Sequence, residues 1–158
     1  MIRIAIVGTG GISHAHIKAY LQFPDRCKIV ALVDIVPGKA QRVKEQYGLD
    51  AEVFLDHQEI LGKDIDLVDV CTPPFVHAQI SIHALESGKN VVCEKPMAAS
   101  LEECDAMLKA RDESGKTLSI IAQNRFREPV RNLHCHDSLP VSRSNMSQVR
   151  AAIKRGES

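Results

Sequence analysis

The turn Gly8-Thr9-Gly10-Gly11-Ile12-Ser13 directly follows the apolar run Ile2–Val7 and opens a helix-like segment. Gly8 permits a tight turn there, and Gly10 lets the backbone approach an anion with no Cβ in the way. Beyond them the N-terminus of a helix offers free N–H groups and the positive end of its dipole, which suits a pyrophosphate. Ser13 stands where a third glycine is usual and is small enough for close packing of helix on strand. A glycine turn alone is also met without any ligand. The next apolar run ends at Asp34, about twenty residues beyond the glycines, where a carboxylate accepts hydrogen bonds from the ribose hydroxyls of a dinucleotide. Asp34 repels a 2′-phosphate and no Arg follows immediately, so NAD is expected rather than NADP.

Two further turns carry reactive groups. Cys71-Thr72-Pro73-Pro74-Phe75-Val76-His77 follows the run Leu67–Val70, and its two prolines make a rigid turn able to pack beside the nicotinamide half of such a cofactor. His77 is expected in the first turn of the following helix, facing the crevice; a polar surface role is the competing reading. Cys93-Glu94-Lys95-Pro96 follows the run Asn90–Cys93. Lys95, held extended by Pro96, leaves a strand end into the crevice. It can hydrogen-bond a substrate hydroxyl and, with a lowered pKa, share its proton. The alternative for Lys95 is a surface ion pair with an acid such as Glu94.

The elements that must position these turns are short and alternate in type. Ile2–Val7, Ile29–Val33, Leu67–Val70, Asn90–Cys93 and 118–122 are short, nearly continuous apolar runs rich in β-branched residues, as parallel strands covered on both faces are. A weaker strand is expected near Glu52–Phe54. Pro37 suits a first helical position, with Ala40, Val43 and Tyr47 at helical spacing and Gly48 as a left-handed cap. Pro74 opens a helix that runs to Gly88. Ser100 and Glu103 make a capping box, Leu101, Cys104 and Leu108 a buried stripe, and Gly115 a stop. Repeated strand–helix alternation implies right-handed crossovers and an α/β, doubly wound, mostly parallel sheet. Such sheets bind ligands beyond the carboxyl ends of their strands, where all of these turns lie.

Composition narrows the classes. The chain has 158 residues, enough for one domain that buries about two-thirds of its unfolded surface. Its 20 basic and 20 acidic residues give zero formal charge, which argues against a nucleic-acid partner, since such proteins rely on a Lys/Arg surplus. No stretch approaches a membrane span. The N-terminal run leads straight into glycines and reads as a core strand rather than a signal peptide. Five scattered cysteines without a C-x-x-C pair suggest reduced thiols and a cytoplasmic location. His134-Cys135-His136 cannot converge on one ion in an extended segment, so no metal is expected.

Together these residues resemble the glucose–fructose oxidoreductase/inositol dehydrogenase (Gfo/Idh/MocA) family. The likeness rests on Gly-Thr-Gly-Gly-Ile-Ser at 8–13, Val-Asp at 33–34, Cys-Thr-Pro-Pro-Phe-Val-His at 71–77, Ala-Leu-Glu-Ser-Gly-Lys-Asn-Val-Val-Cys-Glu-Lys-Pro at 84–96 and Gln-Asn-Arg-Phe at 123–126. The resemblance implies a Rossmann domain that binds NAD or NADP. It also implies oxidation or reduction of hydroxyl and keto groups in sugars, cyclitols and related compounds. It makes Lys95 the lysine that works in proton transfer or substrate orientation near the nicotinamide. It places Thr72, Pro73, His77, Glu94 and Asn124 along the cofactor.

The family's second α/β domain, which supplies further catalytic residues and a dimerisation sheet, has no counterpart here. The expected layout is therefore a dinucleotide-binding domain over 1–126 and an atypical tail over 127–158. Within the tail, 131–148 lacks an apolar period, and joining Val130 to Arg150 would give a more family-like helix. An insertion, a substituted segment or a truncated gene would each account for it. Three readings follow. The chain is a minimal oxidoreductase whose small-molecule site is completed by another chain or a second copy; a binding module without turnover; or a regulator that senses NAD. The lack of an effector or DNA-binding element disfavours the third.

Overall fold

The structure, a computed structural model, describes residues 1–122. Asn124, the His134-Cys135-His136 cluster and the 131–148 segment lie outside the described residues.

Six strands form one sheet: β1 (Ile2–Val7), β2 (Cys27–Val33), β3 (Glu52–Phe54), β4 (Leu67–Val70), β5 (Asn90–Cys93) and β6 (Leu118–Ile120). Their order is β3-β2-β1-β4-β5-β6, and every pairing is parallel. Four helices cross between them: α1 (Ser13–Tyr20), α2 (Lys39–Tyr47), α3 (His77–Glu86) and α4 (Leu101–Ser114). This is the doubly wound Rossmann arrangement expected from the alternation, and the strand order reverses between β1 and β4. Both faces of the sheet are covered. In β1, Ala5 and Val7 join one core with Ala84 and Leu85 of α3 and Met107 of α4, while Ile4 and Ile6 join another with Ile17 of α1 and Val43 of α2. Period-two alternation between two apolar faces explains why these strands read as unbroken hydrophobic runs. Each fully buried Ile or Leu stabilises the domain by about 1.5–3 kcal/mol relative to exposure.

Five local features differ from expectation. Strand β2 begins two residues earlier than expected, at Cys27, and β6 stops at Ile120 instead of running to 122. Pro37 is not the first helical residue: Gly38, at φ 76°, takes a left-handed conformation and α2 starts at Lys39. Glu103 does not close the capping box at α4. The Ser100 hydroxyl accepts from the Glu103 N–H at 3.2 Å, but the Glu103 carboxylate reaches one residue further back, to the N–H of Ala99 at 2.9 Å. The buried face of α4 is set by Met107 and Ala110, whereas Leu101 is exposed and Cys104 and Leu108 are half-buried. Ala110 is small enough to let α4 approach its neighbour α3 closely. Gly48 and Gly115 cap α2 and α4 in the left-handed conformation as expected.

Candidate functional site

Strand register brings the chemically active turns into one row. Val7 pairs with Val33 on one side and Val70 on the other, and Val70 pairs with Cys93. The residues that follow, Asp34, Gly8, Cys71 and Glu94, therefore leave the sheet side by side. Each is tied to the strand beside it by its backbone N–H: Asp34 to the Phe54 carbonyl, Gly8 to Val33, Cys71 to Val7 and Glu94 to Val70, at 2.8–3.2 Å. Glycine is required at position 8. Its φ is +91°, and a Cβ there would stand 2.7 Å from the Cys71 carbonyl oxygen.

At Gly10 and Gly11 the opposite holds: a Cβ would meet nothing within 4 Å, so open space lies before the turn. Among the described residues, the backbone N–H groups of Gly10, Gly11 and Ile12 find no backbone acceptor. Helix α1 starts immediately afterwards with no acidic residue in its first turn. Ser13 is fully buried and its hydroxyl donates to the Gly10 carbonyl at 2.7 Å, which fastens the turn to the helix. Thr9 turns inward, and both its N–H (2.9 Å) and its hydroxyl (2.7 Å) donate to the Asp34 carboxylate. Asp34 also accepts from the Val36 N–H at 3.0 Å and pairs with the Lys39 ammonium at 2.9 Å. Burial pushes the Asp34 carboxyl up, but the hydrogen bonds from Lys39, Val36 and Thr9 outweigh it and hold it below the usual carboxylate range.

Gly8, Asp34 and Lys39 border a cavity of about 350 Å³, together with Ile35, Val36, Thr72, Pro73 and Phe75. Its rim is apolar: Ile35 and Phe75 are 85% and 71% exposed. An exposed aromatic and an aliphatic beside an anchored carboxylate suit an adenosine, with its flat base and its diol. The Thr72 hydroxyl is buried at this cavity without a partner, a polar group left for a ligand. Open space before the glycines and an orphaned hydroxyl beside them both fit a dinucleotide.

The β4 and β5 turns are built differently. His77 does not face the crevice. It is fully buried, with Nδ1 2.9 Å from the Pro96 carbonyl and Nε2 2.7 Å from the Thr72 carbonyl, so it ties the two turns together from beneath. Cys71 is buried too, and its thiol donates to Asp69 at 3.7 Å. Burial, reinforced by the Asp69 charge, pushes that thiol far up and keeps it protonated. Of the two prolines, Pro73 is exposed at the cavity and Pro74 half-buried. Lys95 is exposed, and no carboxylate among the described residues comes within ion-pair distance of its ammonium. The peptide bond between Lys95 and Pro96 is cis.

Glu94 is almost wholly buried; one oxygen accepts the Lys95 N–H at 3.0 Å and the other faces His16 Nε2 at 3.0 Å. His16, on α1, turns its Nδ1 to the fully buried Asp69 at 2.8 Å, and the Tyr20 hydroxyl donates to the same Asp69 oxygen at 2.9 Å. The hydrogen bond to Asp69 raises the His16 pKa, burial opposes it, and the Asp69 charge and Glu94 add to the rise, to about 9. An imidazolium thus joins two buried carboxylates. This cluster is not evident from the sequence. Its only signals were an aspartate inside the apolar strand Leu67–Val70 and a histidine near the start of the helix after the glycine turn. His16, Asp69 and Cys71 also bring ligand atoms within 4.8 Å of one another, but hydrogen bonds already occupy them.

Residues 2–122 match the Gfo/Idh/MocA oxidoreductase family, described as an NAD-binding Rossmann fold. Inositol 2-dehydrogenases of Burkholderia cenocepacia and Salmonella typhimurium are 33% and 30% identical over 118 residues, which is 74% of this chain and 35% of theirs. The chain thus spans about a third of the length of these curated relatives. Among solved structures, the WlbA dehydrogenase from Bordetella pertussis, in complex with NADH and UDP-GlcNAcA, superposes with a TM-score of 0.79 at 33% identity, over 84% of this chain and 40% of that one. A levoglucosan dehydrogenase in complex with NADH gives 0.74 at 28% identity, over 78% of this chain and 35% of that one. No helix among the described residues is long and apolar enough to cross a membrane.

Proposed function

The chain belongs to the Gfo/Idh/MocA oxidoreductase family, and from that premise we propose that it holds NAD(H) for hydride exchange with a hydroxyl or keto group of a sugar, cyclitol or related compound. The observation that carries this is the row Asp34, Gly8, Cys71, Glu94, which sets four strand-end turns side by side, the first three of them bordering one cavity. Gly8, Thr9, Gly10, Gly11 and Ile12 cradle the pyrophosphate, and Asp34 takes the adenosine ribose. Thr72 and Pro73 flank the dinucleotide directly. Cys71, Pro74, His77 and Glu94 act from behind, by fixing the backbone of the two turns. When bound, the nicotinamide supplies the hydride acceptor or donor. Lys95 is the catalytic residue of this chain, its exposed ammonium free to hydrogen-bond a substrate oxygen and to take or give its proton.

The dinucleotide-binding domain is assigned to 1–126. Because the likeness covers about a third of each relative, the substrate-reading wall is assigned to a second domain or another chain, including a second copy of this one. A binding module without turnover is the second reading, favoured by the same coverage. Calorimetric titration of the 158-residue chain with NAD separates the possibilities when followed by assay of NAD reduction with a panel of polyols and sugars. Binding with turnover supports the enzyme and binding without turnover the module. No binding overturns both.

A further inference from the structure

The Asp34 carboxylate is crowded at one oxygen. Oδ1 accepts the Val36 N–H, and Oδ2 takes three donors at once: the Thr9 N–H, the Thr9 hydroxyl and the Lys39 ammonium. Each carboxylate oxygen offers about two lone-pair sites, so Oδ1 can take one more donor, but a ribose diol that engages both oxygens must displace a donor from Oδ2. Val36 and Thr9 are held by the backbone of their turns, and Thr9 is buried. The Lys39 side chain, 38% exposed on a flexible stem, is the donor that can leave. Once displaced it remains tethered at the first residue of α2, beside the cavity that it lines.

We propose that Lys39 sets cofactor specificity in this site, by neutralising Asp34 and offering its ammonium to a ribose 2′-phosphate, so that NADP(H) is admitted beside NAD(H). The inference rests on the reading of this cavity as the adenosine site. A lone carboxylate in this position excludes a 2′-phosphate by like-charge repulsion. Lys39 removes most of that repulsion at 2.9 Å and then has a second anion to pair with. The surroundings favour the same outcome. The first turn of α2 holds no acidic residue, and Arg42 follows at a spacing that shares the helix face with Lys39. With NAD(H) bound, the ammonium gains no second anion beside Asp34, so Lys39 contributes little to NAD(H) affinity.

The test uses the 158-residue chain, with NADH and NADPH titrated separately by their own fluorescence, in the natural sequence and in Lys39→Met and Lys39→Arg, thermal melts confirming that each variant is folded. The expected result is that Lys39→Met weakens NADPH by about tenfold or more relative to its effect on NADH, while Lys39→Arg keeps NADPH binding. A smaller change in the NADPH/NADH ratio, with NADH still bound by the natural chain, overturns the role of Lys39 and leaves the dinucleotide site standing. Failure of both nucleotides to bind the natural chain overturns the adenosine reading itself, and this inference with it.

Discussion

On the side of β1 and β2, polar groups border open space: the glycine turn leaves N–H groups without backbone acceptors, and Asp34 lies at the edge of a cavity. On the side of β4 and β5 the polar groups are turned inward. His77, Asp69, Glu94 and His16 bond to one another or to backbone carbonyls, and all are buried or nearly so. One half presents its chemistry to a ligand, whereas the other uses its chemistry to hold backbone in place and leaves the exposed Lys95 and the unpartnered Thr72 hydroxyl to do the work. A strand-end cleft needs both. The pyrophosphate turn is shaped by glycines, but the turn that carries a reactive lysine must be fixed by side chains.

That contrast can be broken most severely at the buried cluster. His16→Gln leaves Asp69 and Glu94 facing each other without a cation, and the expected loss is about 3–5 kcal/mol of stability, read from denaturant melts. The natural chain should show the same dependence through pH. The His16 pKa is raised on folding to about 9, so its contribution is fully present below about 6.5 and is lost as pH rises through about 9. Its size is on the order of a few kcal/mol. Melts at intervals from pH 6 to 10 should show a decline that His16→Gln lacks. A flat profile in the natural chain would mean that the histidine is neutral and that the two halves are not joined by charge.

Gly8→Ala comes next. With φ at +91° and a Cβ 2.7 Å from a carbonyl oxygen, the change should cost on the order of 2–4 kcal/mol and shift the Cys71 turn, visible as a lowered melting temperature and weaker NADH binding. Gly10→Ala meets no protein atom within 4 Å. It should leave stability within about 1 kcal/mol of the natural chain yet weaken NADH, because the added methyl occupies the ligand's space. Equal effects of the two substitutions on stability would erase the distinction between a glycine needed by the fold and one needed by the ligand.

Asp34→Ala should weaken NADH by about tenfold or more in a folded chain. The smallest effect lies away from the cleft: Ser100→Ala removes the cap of α4 and should cost about 1 kcal/mol, with NADH affinity unchanged.

The legible half of the molecule is the half whose chemistry resides in backbone geometry. Gly8, Gly10 and Asp34 are recognisable because a left-handed turn and a strand-end carboxylate restrict residue type at fixed spacing. The parallel sheet is readable from its apolar runs for the same reason. His77 was misplaced because a histidine in the first turn of a helix has the same local signature whether it points to solvent or under the neighbouring turn. Its partner, the Pro96 carbonyl, is nineteen residues away and belongs to another crossover. His16 and Asp69, 53 positions apart, meet only once the strand order is known. Lys39 passed unnoticed because Gly38 delays the helix and brings the lysine back onto Asp34, whereas Pro37 had been expected to start it.

The central claim is that these strand-end turns form one dinucleotide cradle. It is tested most directly by backbone amide NMR of the isotopically labelled 158-residue chain, recorded with and without NAD. The account predicts that the amides of Gly10, Gly11, Ile12, Thr72 and Lys95 shift together and saturate at a single NAD concentration, while those of α4 stay in place. Shifts confined to other surfaces, or none in the glycine turn at saturating NAD, would contradict it.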